Sequence, residues 1–500
     1  MLLLITAICS LPCLSQLAPK REFRGVWLSV AHQDRYLKMT VPAIKHYFVQ
    51  MLDELQACRI NAVLFQVRPA ADAFYCSGIE PWSRYLRGRQ GLAPEEDFDP
   101  VAFFIEEAHR RNIEFHAWLN PYRVTVSERD TLHASHVYHR HPEWFVKYGR
   151  QIYFDPGLPE SRNFICEVVK DLVARYDLDA IHLDDYFYPY PIKGLAFPDD
   201  GSFHQYAGAQ GFRPDQRDDW RRENVNRLIR QIKQTVVQEK PYVRFGVSPF
   251  GIYRNRKSTP DGTGSNTSGL QNYDDLYADV KQWVEKEWID YNIPQIYWET
   301  GHRAADYETL INWWNRNNYG AHLYIGQDIA RTVNAPDRRH PDRNQLTRKM
   351  ELSRTLPAVY GNCFWPVYEL LNNTGGIADS LKNHYHAYPA LIPAYLHLHD
   401  KTPREVKSLK AGWTDRGYVL QWKRNGDPAD PRKAQYYVVY RFADKEKKDL
   451  NDPSKIAAIV RETSCVLPYE RGTEKYQYVV TSVDRFHNES RKGKTKRVKL

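Results

Sequence analysis

The chain predicts a (β/α)8 TIM barrel followed by a small all-β immunoglobulin-like sandwich. Three observations carry that prediction. Eight apolar, strand-like runs alternate with amphipathic helical stretches from residue 23 onward, the pattern of a parallel sheet wrapped by helices. No G-x-G-x-x-G or P-loop turn follows any of them, although an open doubly wound sheet usually carries one. Near residue 385 the pattern changes to short strands of alternating polarity. The 500 residues exceed one ordinary domain. They divide into a signal peptide (1–18), the barrel (21–385), a linker (386–402) and the sandwich (403–500).

The eight runs are 23–30, 62–67, 114–119, 180–184, 244–249, 291–298, 322–326 and 361–366. Between them, 101–111 places Phe103, Phe104 and Ala108 on one helical face, and 222–238 carries Val225, Leu228, Ile229, Ile232 and Val236 at helical spacing. Long connections at 70–98, 120–160 and 188–218 fall on the face of a barrel that holds substrates. Residues 259–268, rich in Gly, Ser, Thr and Asn, read as a flexible loop. Beyond the linker, strands at 418–422, 435–441 and 475–483, together with Trp422, resemble a fibronectin type III module.

Residues 1–18 are apolar, too short to span a bilayer, and turn polar at Lys20-Arg21-Glu22, the shape of a signal peptide without its positive n-region. Ser10-Leu11-Pro12-Cys13 resembles a lipobox spoiled by its proline, so a lipid anchor is the alternative to a soluble exported chain. No later run is long enough for a membrane span. The expected location is the periplasm or the cell envelope. The net charge of +9 is mild for this length, and part of it lies in the tail at Arg491, Lys492, Lys494, Lys496, Arg497 and Lys499, read as a solvated end, with contact to an anionic surface such as a cell wall as the alternative. Zinc-finger, helix–turn–helix and RNP patterns are missing, so nucleic acid is not an expected partner. Beyond the signal, Cys58, Cys76, Cys166, Cys363 and Cys465 are scattered and odd in number, which argues against a disulfide framework or a zinc site and for buried thiols. No cofactor or metal is expected.

Aromatic residues reach 13%, with 13 Trp and 34 Tyr. Flat rings stack on pyranose rings, although a large aromatic core gives the same composition. Barrel chemistry sits at strand C-termini. The fourth run, Asp179-Ala180-Ile181-His182-Leu183-Asp184-Asp185-Tyr186-Phe187-Tyr188-Pro189, leads directly into two carboxylates and an aromatic cluster. Side chains alternate along a strand, so His182 and Asp184 share a face. Other run ends offer Gln66, Arg68 and Asp72; Trp118, Asn120, Tyr122 and Arg123; Gln295, Tyr297, Trp298 and Glu299; and Trp365. Amides and arginine suit sugar hydroxyls, and the rings suit sugar faces. The alternative for Arg68 and Asp72 is a structural ion pair below the pocket. Glycoside hydrolysis needs one protonated and one ionised carboxyl. Asp184 is the candidate ionised group, with Asp185, Glu299 or Asp72 as candidate partner, and Tyr186 and His182 beside them as substrate contacts. Metal-dependent deacetylation lacks a histidine pair at a strand end, His116 and His182 reading as pocket or core residues. A G-x-S-x-G serine is also missing.

At these residues the sequence resembles the glycosyl-hydrolase-like family 10 barrel proteins. The resemblance rests on Arg24-Gly25-Val26-Trp27, Phe65-Gln66-Val67-Arg68-Pro69 with Asp72, Pro81-Trp82-Ser83 and Ala117-Trp118-Leu119-Asn120-Pro121-Tyr122-Arg123. It continues through Asp155-Pro156-Gly157, the Ile181–Pro189 stretch, Ser248-Pro249-Phe250-Gly251 and Pro294-Gln295-Ile296-Tyr297-Trp298. It implies an exported glycosidase with acidic residues at the fourth strand, some members acting on peptidoglycan glycan strands that have lost their stem peptides. The stretch 179–184 also resembles the nucleophile strand of α-amylase-like barrels. It departs in having Ala180 for the usual glycine, and the fifth run ends without the expected glutamate. A non-catalytic carbohydrate-binding barrel is therefore the second expectation, and a metal-dependent polysaccharide deacetylase the third.

Overall fold

The structure, a computed structural model, describes residues 18–500 apart from 32, 96, 427–429 and 431–432. The expected signal peptide lies outside the described residues but for residue 18. Among the described residues no helix is long and apolar enough to cross a membrane.

The N-terminal part is a closed parallel barrel. Its first strands are β1 (Phe23–Leu28), β2 (Ala62–Arg68) and β3 (Glu114–Leu119). The loop after β3 then forms a hairpin of its own, β4 (Phe145–Tyr148) and β5 (Gln151–Phe154), which the sequence analysis did not anticipate. The barrel resumes with β6 (Ala180–Leu183), β7 (Arg244–Val247), β8 (Tyr291–Asn292), β9 (His322–Asp328) and β10 (Val359–Trp365). Neighbouring order is β1-β10-β9-β8-β7-β6-β3-β2. The eight expected runs are the eight barrel strands. The sixth is far shorter than 291–298, because Pro294 has no N–H for the ladder, and pairing resumes only as single bridges at Gln295.

The barrel strands are buried on both faces, apart from the start of β10, where Tyr360 is exposed, and their alternation sorts side chains into two cores. Ile181 and Leu183 point outward under the helices, with Val63, Phe65, Val67, Phe115, Ala117 and Leu119. Trp27, Leu64, Trp118, Ala180, Tyr291 and Tyr324 fill the interior. Gly246 makes room there: a Cβ at this position would meet the Tyr291 ring at 2.2 Å. The helices follow their expected faces. Pro100–Arg110 starts on Asp99, whose carboxylate accepts from the Val101 and Ala102 amides at 3.0 Å, and it buries Val101, Phe104, Ile105 and Ala108.

The C-terminal part is a sandwich of two antiparallel sheets. One holds β11 (Lys407–Thr414), β12 (Gly417–Lys423) and β15 (Ser464–Val466). The other holds β13 (Tyr436–Ala443), β14 (Ile456–Val460), β16 (Lys475–Val483) and β17 (Lys494–Lys499), in the order β14-β13-β16-β17. Leu420 and Trp422 from the first sheet pack on Tyr437, Val439, Tyr478 and Val480 from the second. The basic tail is thus not a free solvated end. It is an edge strand paired to β16, with Val498 and Leu500 turned into the core and most of its lysines outward. Lysines on an edge strand discourage further strand pairing.

The stretch 386–402 is packed rather than loose. The Leu391 amide donates to the Lys20 carbonyl at 2.9 Å and the Tyr395 amide to the Phe486 carbonyl at 3.1 Å. Of the five cysteines, Cys58, Cys166 and Cys363 are buried, whereas Cys76 is exposed and Cys465 half-buried, contrary to uniform burial.

Candidate active site

A cavity of about 490 Å³ opens at the C-terminal mouth of the barrel, within the range of small-molecule sites. Its floor is the last inward-facing layer of the strands. Trp27 comes from β1, Gln66 from β2, Trp118 from β3 and Trp365 from β10, while Asp184, Ser248 and Gln295 stand just past β6, β7 and β8. The loop after β6 adds Asp185, Tyr186 and Tyr190. Phe250, Tyr297, Trp298, Arg123 and Arg331 complete the wall. The Trp118 and Trp365 rings meet edge to face at 6.2 Å, and Arg123 lies 4.8 Å over the Tyr186 ring.

Asp184 is placed by strand alternation: Ala180, His182 and Asp184 form the inward row of β6 and its end. Its Oδ1 accepts from the Asp185 amide at 2.9 Å and from Nε2 of Gln295 at 3.1 Å. The same Gln295 amide group donates to the Ser248 carbonyl at 2.8 Å, which fixes its orientation. Asp185 takes a very short hydrogen bond from the Tyr190 hydroxyl. Both carboxyls are buried, 7% and 2% exposed. Burial raises Asp184, countered by hydrogen bonds from Asp185 and Gln295 and by the charge of Arg123. Asp185 is raised further, first by burial and then by the neighbouring Asp184 charge. Like charges this close cannot both ionise, so the pair holds one proton, on Asp185.

Beneath the pair lies a polar layer. His182 Nε2 is 2.9 Å from the Ser248 hydroxyl, its Nδ1 is 3.2 Å from the Tyr291 hydroxyl, and the Trp27 indole donates to it at 3.4 Å. Burial holds its imidazole well below the usual value and therefore neutral.

Residues 22–344 match the model of the family described as Glycosyl hydrolase-like 10. The chain belongs to that family. It is 42% identical over 505 residues to "Glycosyl hydrolase YngK" of Bacillus subtilis (strain 168), covering 99% of this chain and 96% of that one. It is 34% identical over 369 residues to "Glycosyl hydrolase DigH" of Escherichia coli (strain K12), covering 68% and 82%. Among solved structures, the glycoside hydrolase domain of PgaB (BpsB) from Bordetella bronchiseptica aligns with a TM-score of 0.47 at 13% identity, over 73% of this chain and 99% of that one.

In this glycosyl hydrolase-like barrel, ten of the sixteen expected site residues line the cavity: Gln66, Trp118, Arg123, Asp184, Asp185, Tyr186, Gln295, Tyr297, Trp298 and Trp365. The other six lie outside it. Arg68 is fully buried and forks onto Glu80 at 2.7–3.1 Å, while its Nη1 donates to the Asn120 and Pro121 carbonyls. It clamps two loops together and does not pair with Asp72. Asp72 instead accepts from Gln90 at 3.2 Å, and burial pushes it up to about 6. Asn120 donates to the Pro69 carbonyl at 3.0 Å. Tyr122 is buried in the core under the helices, and His182 is buried in the layer beneath Asp184. Glu299 is carried away because the chain turns after Trp298, tethered by the Thr300 amide to Gln345 at 2.7 Å. It neither lines the cavity nor approaches the Asp pair closely enough to bond with it.

Several cavity residues were not anticipated as site residues. Trp27, Ser248 and Phe250 stood in the quoted family motifs, and Tyr190 ends the aromatic run after Asp185. Arg331, on the short helix Ile329–Asn334, had no sequence signal. Among the described residues no group of three or more His, Cys, Asp or Glu side chains is gathered as a metal site requires.

Proposed function

We propose that the chain is an exported glycoside hydrolase acting on a polysaccharide, with peptidoglycan glycan strands as substrate. One observation carries this reading. Two buried, adjacent carboxyls, both raised by burial and Asp185 further by the Asp184 charge, face an aromatic cavity at the mouth of the barrel. Neutral Asp185 supplies a proton to the leaving glycosidic oxygen. Ionised Asp184 stabilises the positive charge that develops on the sugar. Gln66 and Arg123 meet hydroxyls, Gln295 holds Asp184 in place, and Trp118, Tyr186, Tyr297, Trp298 and Trp365 meet ring faces. The choice of peptidoglycan rests on the family resemblance. The C-terminal sandwich reads as a fibronectin type III-like spacer or weak binder.

The test is a reducing-sugar and mass-spectrometric assay on purified glycan strands, with and without stem peptides. The wild type is expected to release saccharides, insensitive to chelator, and Asp184→Asn to lose about 10³-fold or more in rate. A second reading, a binding protein without turnover, is favoured by β7, which is followed at the cavity by Ser248 and no acidic residue. Retention of glycan on a column with no cleavage by wild type would establish it. Acetate release abolished by chelation would point instead to a deacetylase.

A further inference from the structure

We infer that the cavity binds a 2-acetamido sugar at the cleaved position, and that its acetamido carbonyl oxygen, not a protein carboxylate, attacks the anomeric carbon. This rests on the hydrolase reading above. Among the described residues that line the cavity, Asp184 and Asp185 are the only carboxylates. A scheme with two protein carboxylates needs them about 5–5.5 Å apart for a covalent intermediate, or about 6.5–9.5 Å apart to admit water, with the sugar between them. These two are consecutive in the chain, and the Asp185 amide donates to Oδ1 of Asp184 at 2.9 Å. They cannot stand on opposite faces of one sugar ring. Asp72 and Glu299, the other candidates, lie outside the cavity. The tyrosine hydroxyls at the site are no substitute, since burial keeps Tyr186, Tyr190 and Tyr297 protonated. The nucleophile must then come from the substrate, and a neighbouring acetamido group is placed for it.

The walls fit that group. Asp184, steadied by Gln295, is an ionised acceptor for the acetamido N–H. Trp118, 5% exposed, has an Nε1 with no hydrogen-bond partner, a buried donor that an acceptor on the ligand would satisfy. Its ring stands against Trp365, while Trp27 meets Tyr297 at 6.3 Å, so the pocket also offers an apolar seat for the acetamido methyl.

In the first step the Asp185 proton passes to the glycosidic oxygen as the C1–O bond breaks, its electron pair staying on the leaving oxygen. The acetamido carbonyl oxygen bonds to C1, and the resulting oxazolinium N–H is held by the Asp184 carboxylate. In the second step water bonds to C1 from the vacated side and gives a proton to Asp185. The C1–O bond of the ring opens and the acetamide is restored. The product anomer retains its configuration.

The experiment uses the full chain and two probes. The first is the thiazoline of N-acetylglucosamine, in which sulfur replaces the oxygen of the oxazoline, measured by titration calorimetry. The second is a pair of glycan strands, N-acetylated and chemically de-N-acetylated. Expected are binding of the thiazoline, weakened about 10-fold or more by Asp184→Asn, and about 10³-fold or slower cleavage of de-N-acetylated strands. The first-formed product should be the retained anomer by NMR. Equal cleavage of both strands, or inversion, overturns the inference while leaving the hydrolase reading intact. Thiazoline binding without cleavage of any strand upholds the subsite and overturns the hydrolase. Neither binding nor cleavage overturns both. Melting curves of Asp184→Asn separate lost binding from lost folding.

Discussion

Gln295 donates from Nε2 to Oδ1 of Asp184 at 3.1 Å and, from the same amino group, to the carbonyl of Ser248 at 2.8 Å. One side chain just past β8 thus fixes the carboxylate past β6 by way of the backbone past β7. In Gln295→Ala the carboxylate loses a hydrogen bond to its charged form, worth about 1.5–3 kcal/mol. The expected result is a fall in kcat of about 10- to 10²-fold with little change in KM. That bond also favours the ionised carboxylate, so its loss moves the acidic limb of the pH–rate profile to higher pH. A rate that falls without that displacement would assign Gln295 to substrate contact instead.

The alkaline limb belongs to the proton that the pair retains. The Tyr190 hydroxyl bonds Asp185 and favours its ionised form. Tyr190→Phe therefore raises the Asp185 carboxyl further. The acid stays protonated to higher pH, and the alkaline limb shifts upward. A profile recorded from pH 4 to 10 with both variants should show Gln295→Ala moving one limb and Tyr190→Phe the other.

The barrel was legible because period-two burial and helical periodicity are local and repeat eight times. The mouth was legible where a residue continues a strand's inward row, as Gln66, Trp118, Asp184 and Trp365 do. Past the strand ends it was legible only in part: Asp185, Tyr186, Gln295 and Tyr297 reach the cavity, whereas Asp72, Asn120 and Glu299 do not. Arg68 sits beyond a register shift in β2, and its buried partner, Glu80, lies in a loop twelve residues on. Glu299 follows two cavity residues directly, yet a hydrogen bond from Thr300 to the distant Gln345 turns it away. The basic tail read as solvated because its lysines alternate with residues of low apolarity, and only pairing with β16 buries Val498.

The Asp pair has a stability cost. A buried acid with a raised value holds its proton longer when folded than when unfolded. Between the two values the native state binds more protons, so stability falls as pH rises. Both Asp184 and Asp185 are shifted in that direction. Asp185→Asn is thus expected to stabilise the fold at neutral pH by about 1–2 kcal/mol while abolishing activity. Calorimetric melting should show the gain shrinking as pH falls towards the ordinary carboxyl range, where the unfolded wild-type chain is protonated too. A variant less stable than wild type at neutral pH would contradict the like-charge picture.

Glu114 behaves in the opposite way at the other end of the barrel. Its Oε1 lies 2.5 Å from Arg244 Nη2 and 2.7 Å from Nε2 of His487 in the sandwich, and its Oε2 lies 3.1 Å from His116. Burial pushes this carboxyl up, but the Arg244 charge and the hydrogen bonds from His116 and His487 prevail and hold it well below the usual range. A depressed value contributes stability that is present above the unfolded value, about 4.3, and is lost as pH falls through the folded one. Glu114→Gln leaves Arg244 buried without its counter-charge, at an expected cost of about 3–5 kcal/mol at neutral pH. The melting temperatures of variant and wild type should converge in acid. The double variant Glu114→Gln/Arg244→Met should recover part of the loss, because the unpaired guanidinium is what the single variant strands. A single variant that melts with wild type at pH 7 would mean that the pair contributes little to the fold.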